Sequence, residues 1–331
     1  MKIMVYEARP DEQADLEKQA ALHGVELSVT DAVPTLENAS LAAGCAGVSI
    51  LGQGRIDAAL LDAYHALGIR YLSTRTIGYD HIDLGHARSI GLRVCSASYA
   101  PNGVADFTVM MILMCLRHYK QALWRGQVND FSLTGLQGRE MKDLTIGIIG
   151  TGRIGAQVVR NLSGFGCRIL AYDLRRNPAV ESQVTYVDFD TLLAQSDVIT
   201  LHMPLLDSNR HIINREAIAK MRDGVVIVNC SRGELADIEA LIEGIETGKI
   251  GALGMDTVEG DEGIIHADHR VDILPNRNWF YLHQFRNVIM TQHMAFYTDA
   301  AVASMVACGI GGICQMAAGE PCPTELTGPV Q

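Results

Sequence analysis

The sequence predicts an α/β chain carrying two doubly wound parallel sheets, and three observations carry that expectation. Its 331 residues exceed the roughly 100–200 that one domain takes. Apolar runs of strand length alternate with longer helix-like patterns from end to end, and near-continuous apolar strands belong to sheets covered on both faces. Finally, Thr145-Ile-Gly-Ile-Ile-Gly150-Thr-Gly152-Arg-Ile-Gly155 leads a strand straight into GxGxxG and a helix.

In chain order, strands are expected at Ile3–Tyr6, Ala46–Leu51, Ile69–Ser73 and Arg93–Ser96. Tyr99-Ala-Pro-Asn then opens a long helical stretch reaching about Gln121, with Pro101 where a first-turn proline is tolerated. Glycines and charges cluster at Gly126–Lys142. Further strands follow at Thr145–Ile149, Arg168–Tyr172, Val198–His202, Val225–Asn229, Ala252–Asp256 and Val288–Thr291, with helices at Ile154–Phe165, Asp190–Ala194 and Ile238–Thr247. Thr298–Met316 is helical in pattern and can return to the first domain. The expected division is therefore 1–99 plus 299–331, and 100–298. No repeat of 20–50 residues points to a solenoid.

Composition excludes several classes. With 27 Lys+Arg against 38 Asp+Glu, the net charge of −11 argues against nucleic-acid or anionic-membrane partners, both of which need positive surface. An anionic small molecule stays possible, because a pocket can be locally positive. The N-terminus meets charge at Glu7 before any signal-peptide core forms, and the longest apolar run, Val109–Leu116, is far shorter than the ~20 residues of a membrane span. Eight cysteines without a CxxC pair fit neither a zinc site nor a disulfide scaffold, and read as reduced thiols of a cytoplasmic protein. The histidines show no HExxH spacing and only one HxxH, His266-Ala-Asp-His269, which reads as surface or satisfied core histidines, so no metal is expected. Met110–Met114 reads as a packed helix face; Tyr71, Tyr79 and Trp124 have no assignable role.

The glycine loop carries the clearest chemistry. Gly150 permits the tight turn, Gly152 lets the backbone approach a pyrophosphate, and Gly155 allows close helix–strand packing. The helix N-terminus offers unpaired N–H groups and positive dipole to phosphate. The next strand ends at Asp173, where a carboxylate can accept ribose hydroxyls and repel a 2′-phosphate, so NAD is expected over NADP. Arg175 and Arg176 pull slightly the other way.

Ligands of an open parallel sheet collect outside the carboxyl ends of its strands. Those ends read His202-Met-Pro204, Asn229-Cys-Ser-Arg-Gly233, Asp256-Thr-Val-Glu-Gly-Asp-Glu262 and Thr291-Gln-His293. One arginine suits a planar carboxylate, one histidine can exchange a proton near neutrality, and a carboxylate behind it would favour imidazolium. That set equips a site for hydride transfer to a 2-keto acid.

These residues, with Thr74-Arg-Thr-Ile-Gly-Tyr-Asp-His-Ile-Asp83, Tyr99-Ala-Pro-Asn102, Met255-Asp-Thr-Val-Glu-Gly260 and His293-Met-Ala-Phe-Tyr-Thr298, give the chain its resemblance to the D-isomer-specific 2-hydroxyacid dehydrogenases. It most resembles their D-lactate dehydrogenase branch, including the vancomycin-resistance type, over essentially its whole length. The resemblance implies a Rossmann NAD-binding domain, a flavodoxin-like substrate domain and a homodimer. By position, Arg232 resembles the substrate-carboxylate arginine, His293 the acid/base histidine and Asp261 the acid that orients it. Beside Gly150, Gly152, Gly155 and Asp173, the residues Arg153, Ile154, Met203, Pro204, Asn209, Cys230, Arg232 and Asp256 match cofactor contacts. Ile77 and Gly78 would present backbone N–H groups to the substrate, and Tyr99 and Phe296 would wall its side chain.

Three positions depart from the family pattern. Asp261 is one methylene shorter than the usual Glu, with Glu262 adjacent; Gln292 replaces a proline; and Glu234 puts a negative charge near Arg232. The resemblance implies reduction of pyruvate or a related 2-keto acid to the D-2-hydroxy acid. Two alternatives stay open: a dehydrogenase for a bulkier acid such as 2-ketoisocaproate or phenylpyruvate, and a non-catalytic NAD-sensing or corepressor protein. Arg232 and His293 together speak against the last.

Overall fold

Residues 1–274 and 276–328 are described by the computed structural model. The chain enters through β1 (Lys2–Val5), α1 (Gln13–His23), β2 (Glu26–Val29), β3 (Gly47–Ile50), α2 (Ala58–Ala66), β4 (Tyr71–Thr74), α3 (Leu84–Ser89) and β5 (Arg93–Cys95). It continues through α4 (Asn102–Leu116), α5 (Tyr119–Gln127), β6 (Thr145–Ile149), α6 (Arg153–Ser163), β7 (Arg168–Tyr172), β8 (Thr185–Tyr186), α7 (Phe189–Gln195) and β9 (Val198–Leu201). Then come α8 (Arg215–Lys220), β10 (Val225–Asn229), α9 (Ile238–Glu246), β11 (Ile250–Met255), α10 (Arg277–Gln284), β12 (Val288–Met290) and α11 (Asp299–Ala318). Two units result, Met1–Ala100 with Tyr297–Gln331, and Pro101–Phe296. The cuts lie one or two residues from 99/100 and 298/299, so Phe296 closes the second unit and Tyr297 and Thr298 open the returning segment.

The first unit holds a parallel five-stranded sheet in the order β2-β1-β3-β4-β5, the flavodoxin-like order. Alternation along β1 divides its side chains between two faces. Ile3 and Val5 meet Leu16 of α1 and Ile310 and Ile313 of α11, while Met4 and Tyr6 meet Leu60, Leu61 and Tyr64 of α2. Helix α11 is the one described helix long and apolar enough to cross a bilayer, yet more than half of it is buried within the protein. It is a core helix.

The second unit holds a parallel seven-stranded sheet, β12-β11-β10-β9-β6-β7-β8. Its order reverses between β6 and β9, the switch point where a doubly wound sheet binds dinucleotides. Leu192, Ile199, Leu201, Ile227, Leu241 and Leu253 fill one face. Helices α4 and α6 pack together, and α4 also lies on β10 and β11, burying Met111 and Ile112 completely.

Three local expectations change. The helix from Pro101 does not run to Gln121; it stops at Leu116, and His118 takes a left-handed φ of 51° before α5 begins. Strand β2 has no fully buried residue, so it carries no apolar run. Strand β8 spans two residues at the sheet edge. Neither strand has a hydrophobic signature to read.

Candidate active site

At the switch point, β6 delivers Gly150 at φ +93°, a conformation that side chains with a Cβ rarely adopt. A Cβ there would lie 2.7 Å from the His202 carbonyl oxygen, and one on Gly155 would collide with the Gly150 carbonyl. The loop is therefore closed behind by His202, which is half-buried, with its pKa lowered to about 3 by desolvation, and so is neutral. The opposite side is open: around Gly152, the N-cap of α6, a Cβ would meet nothing within 4 Å. A wall that only glycine fits and an open face at a helix N-terminus suit a pyrophosphate.

Asp173 stands at the carboxyl end of β7 and is tied to this loop. Its Oδ2 accepts from the Thr151 N–H at 2.6 Å and the Thr151 hydroxyl at 3.0 Å, and its Oδ1 from the Arg175 N–H at 3.0 Å. Tyr186 of β8 donates to Thr151 Oγ1 at 2.9 Å, and Asn177 Nδ2 donates to the Thr151 carbonyl at 2.7 Å. Arg176 leans over the Tyr186 ring, 5.5 Å from its centroid, and pairs with Glu181 at 3.8 Å. Asp173 and the glycine loop thus form one hydrogen-bonded body.

The ends of β9 and β10 are fastened to each other. Asn209 Nδ2 donates to the Pro204 carbonyl at 2.8 Å and its Oδ1 accepts from the Leu206 N–H at 2.8 Å. Ser231 Oγ donates to the Met203 carbonyl at 2.6 Å. Fully buried Asn229 donates to the Arg232 carbonyl at 2.7 Å and accepts from the Ser231 N–H at 3.0 Å. That turn fixes the backbone on which Arg232 is mounted. Cys230 is buried beside it, and desolvation pushes its thiol pKa strongly up, so it is neither nucleophile nor acid.

His293 rides on a turn held by Asp256. The Asp256 carboxylate, 1% exposed, accepts from Thr291 Oγ1 at 2.6 Å and from the N–H groups of Met294 and Ala295 at 2.8 Å each. Between these anchors His293 adopts φ +53°, an outlier of the kind that costs ~1–3 kcal/mol and persists only where its surroundings enforce it. His266 approaches the His293 carbonyl oxygen with Nε2 at 3.3 Å, and the rings of His266, His293 and Phe296 lie 6.2–6.4 Å apart.

Asp261 lies on the loop past β11, where its Oδ2 accepts from the Val258 N–H at 3.2 Å. Burial raises its pKa to about 6; the charges of Glu234 and Asp256 push the same way, while the Val258 N–H and Arg232 oppose. The Glu234 charge therefore reaches Asp261. Glu259 is engaged elsewhere, accepting from Arg210 at 2.9 Å and His211 at 2.7 Å, and Glu262 is exposed.

In the first unit, Ile77 and Gly78 lie just past β4. Thr76 Oγ1 donates to the Gly78 carbonyl at 2.6 Å and pairs with Thr74 Oγ1 at 2.6 Å. Under this loop Arg75 and Glu12 form a fully buried pair, with Arg75 also donating to the Tyr6 and Glu7 carbonyls. Tyr99 follows β5 and is half-buried.

The residues that sequence reasoning did not single out are mostly those that hold others in place: Thr151, Asn177, Tyr186, Thr291, His266 and the Arg75–Glu12 pair. Among the described residues, no cluster of three or more His, Cys, Asp or Glu could hold a metal.

Comparison with known proteins identifies the family. Residues 109–295 match the family model for the D-isomer specific 2-hydroxyacid dehydrogenase NAD binding domain. An aromatic 2-oxoacid reductase of Clostridium sporogenes is 41% identical over 92% of this chain and 93% of its own. The D-lactate dehydrogenase of Escherichia coli is 36% identical over 98% of this chain and 100% of its own. The solved D-lactate dehydrogenase with NAD+ from Lactobacillus jensenii superimposes with a TM-score of 0.84 at 31% identity, covering 98% of this chain and 99% of that one. The chain belongs to the D-isomer specific 2-hydroxyacid dehydrogenase family. It is an NAD-dependent enzyme that interconverts 2-keto acids and D-2-hydroxy acids.

Proposed function

We propose that the enzyme reduces pyruvate or a closely related small 2-keto acid to the D-2-hydroxy acid, with Arg232 and His293 as the catalytic residues. The observation that carries this reading is the clamped turn 291–295, which holds His293 in a strained backbone conformation at the carboxyl end of the sheet. When bound, NADH supplies the hydride. Gly150, Gly152, Arg153, Ile154 and Gly155 receive its pyrophosphate, and Asp173 its ribose. Met203, Pro204, Asn209, Cys230 and Asp256 lie along the rest of the cofactor. Arg232 forms two parallel hydrogen bonds to the substrate carboxylate. His293, protonated, donates to the keto oxygen as C2 is reduced. Asp261 favours the imidazolium. The reading also assigns the Ile77 and Gly78 N–H groups to the carboxylate, and Tyr99 and Phe296 to the substrate side chain.

The same proposal makes the enzyme a cytoplasmic homodimer. The eight cysteines are free thiols, in keeping with a reducing compartment. Leu123, Trp124, Val128, Phe131 and Leu133 are each more than half exposed within one short stretch, an apolar surface of the sort subunit contacts cover. Specificity constants for NADH-dependent reduction of pyruvate, 2-ketoisocaproate and phenylpyruvate test the substrate. Pyruvate should lead; a leading aromatic acid would shift the assignment toward the activity named for the Clostridium relative.

A further inference from the structure

Outside the dehydrogenase site, two thiols far apart in sequence meet beneath the C-terminal segment. Cys95 ends β5 and is fully buried, whereas Cys322 is partly exposed between the exposed prolines Pro321 and Pro323. Both sulfurs lie within 3.5 Å of one point, the position a Cβ on Gly312 would take, so the two thiols adjoin each other. Backbone pairing holds them there. Ser96 N–H donates to the Thr324 carbonyl at 3.0 Å, Leu326 N–H donates to the Val94 carbonyl at 2.8 Å, and Arg93 grips the Glu325 carboxylate at 2.8 and 2.6 Å.

We propose that Cys95 and Cys322 form a reversible modification site that hydroperoxides convert to an intramolecular disulfide, stapling the C-terminal segment to the edge of β5. Cys322 has the more reactive thiol. The neighbouring Cys95, and Thr324 with its Oγ1 at 3.6 Å, bring its pKa down to about 6, so the thiolate, the nucleophilic form, prevails at neutral pH. The neighbouring Cys322 and then burial push Cys95 strongly up, which suits it to wait as the resolving thiol. In the first step the Cys322 thiolate attacks a peroxide oxygen; the O–O bond breaks, the sulfur is oxidised to sulfenic acid and hydroxide leaves. In the second, Cys95 sulfur attacks the sulfenic sulfur, the S–O bond breaks, and the Cys95 proton leaves with the hydroxyl as water. One peroxide is reduced to two waters as two thiols become one disulfide.

The test is non-reducing peptide mapping by mass spectrometry of the full-length protein, before and after stoichiometric hydrogen peroxide. A Cys95–Cys322 cross-link that dithiothreitol reverses is the expected result. Cys322→Ser should abolish the cross-link and leave Cys95 reduced. Cys95→Ser should leave a sulfenic acid on Cys322 that dimedone traps; because Cys95 is buried, Cys322→Ser at the more exposed position keeps the test valid if that variant fails to fold. Cys322 remaining reduced, advancing to sulfonic acid with Cys95 intact, or pairing instead with Cys308 or Cys314 would each overturn the proposal.

Discussion

Asp256 accepts a 2.6 Å hydrogen bond from Thr291 and, with the same carboxylate, takes the backbone N–H groups of Met294 and Ala295. One buried acid thus grips both sides of the turn that carries His293. Charge-assisted bonds to backbone N–H groups are worth about 1.5–3 kcal/mol, enough to offset the strained φ of the histidine.

Asp256→Asn turns acceptors into a group that must point at least one donor at N–H neighbours. We expect thermal stability to fall by about 1–3 kcal/mol, and kcat to fall while the pH at which the rate limb turns stays put. Thermal melts and a pH–rate profile check this; an unchanged kcat would detach the turn from catalysis.

Arg232→Lys keeps the charge and loses the planar two-pronged clamp. The expected cost in kcat/KM is at least about 1–3 kcal/mol, roughly tenfold or more. A Lys variant with wild-type kcat/KM for its best keto acid would remove Arg232 from the substrate carboxylate.

Asp173→Ser removes the brace on Thr151 together with the proposed acceptor for the ribose. KM for NADH should rise and the preference over NADPH should shrink. If the wild-type protein already favours NADPH, Arg175 or Arg176 governs the choice instead.

The folded protein raises the Asp261 pKa from 3.8 to about 6, so the native state binds this proton more tightly than the unfolded chain. Stability from this group is full below about pH 4 and is lost as pH rises through about 6. Asp261→Asn should therefore match wild type near pH 4 and exceed it above pH 7, by something on the order of 2–3 kcal/mol. It should also move the His293-dependent rate limbs to lower pH, since an amide no longer favours imidazolium. Denaturant midpoints at both pH values decide the first claim; equal differences at both would mean that Asp261 titrates normally.

Glu12→Gln breaks a fully buried pair and leaves the Arg75 charge uncompensated, a change that costs about 3–5 kcal/mol. Because Arg75 lies directly before Thr76–Gly78, KM for the keto acid should rise more than KM for NADH. Equal effects on both constants would make the pair a stabilising element only.

Several of these residues were legible in the sequence because their constraints are local. Glycines of the 150–155 loop encode backbone geometry, and Asp173 closes an apolar run, so spacing alone exposes both. Arg75 lies within Thr74–Asp83, yet nothing local says that its guanidinium is buried against Glu12. The grip of Asp256 on residues 291–295, and the meeting of Cys95 with Cys322, depend on which strand ends lie side by side, and no linear pattern records that. Strand β2 leaves no apolar pattern in the sequence because none of its side chains is fully buried.

The proton role of His293 is the centre of the account. The direct measurement is kcat/KM against pH for pyruvate reduction and for D-lactate oxidation, in wild type and His293→Gln. Reduction should fall and oxidation should rise through one shared pKa, and both limbs should vanish in the variant along with most of the rate. Limbs that run in the same direction, or that persist in His293→Gln, would contradict it.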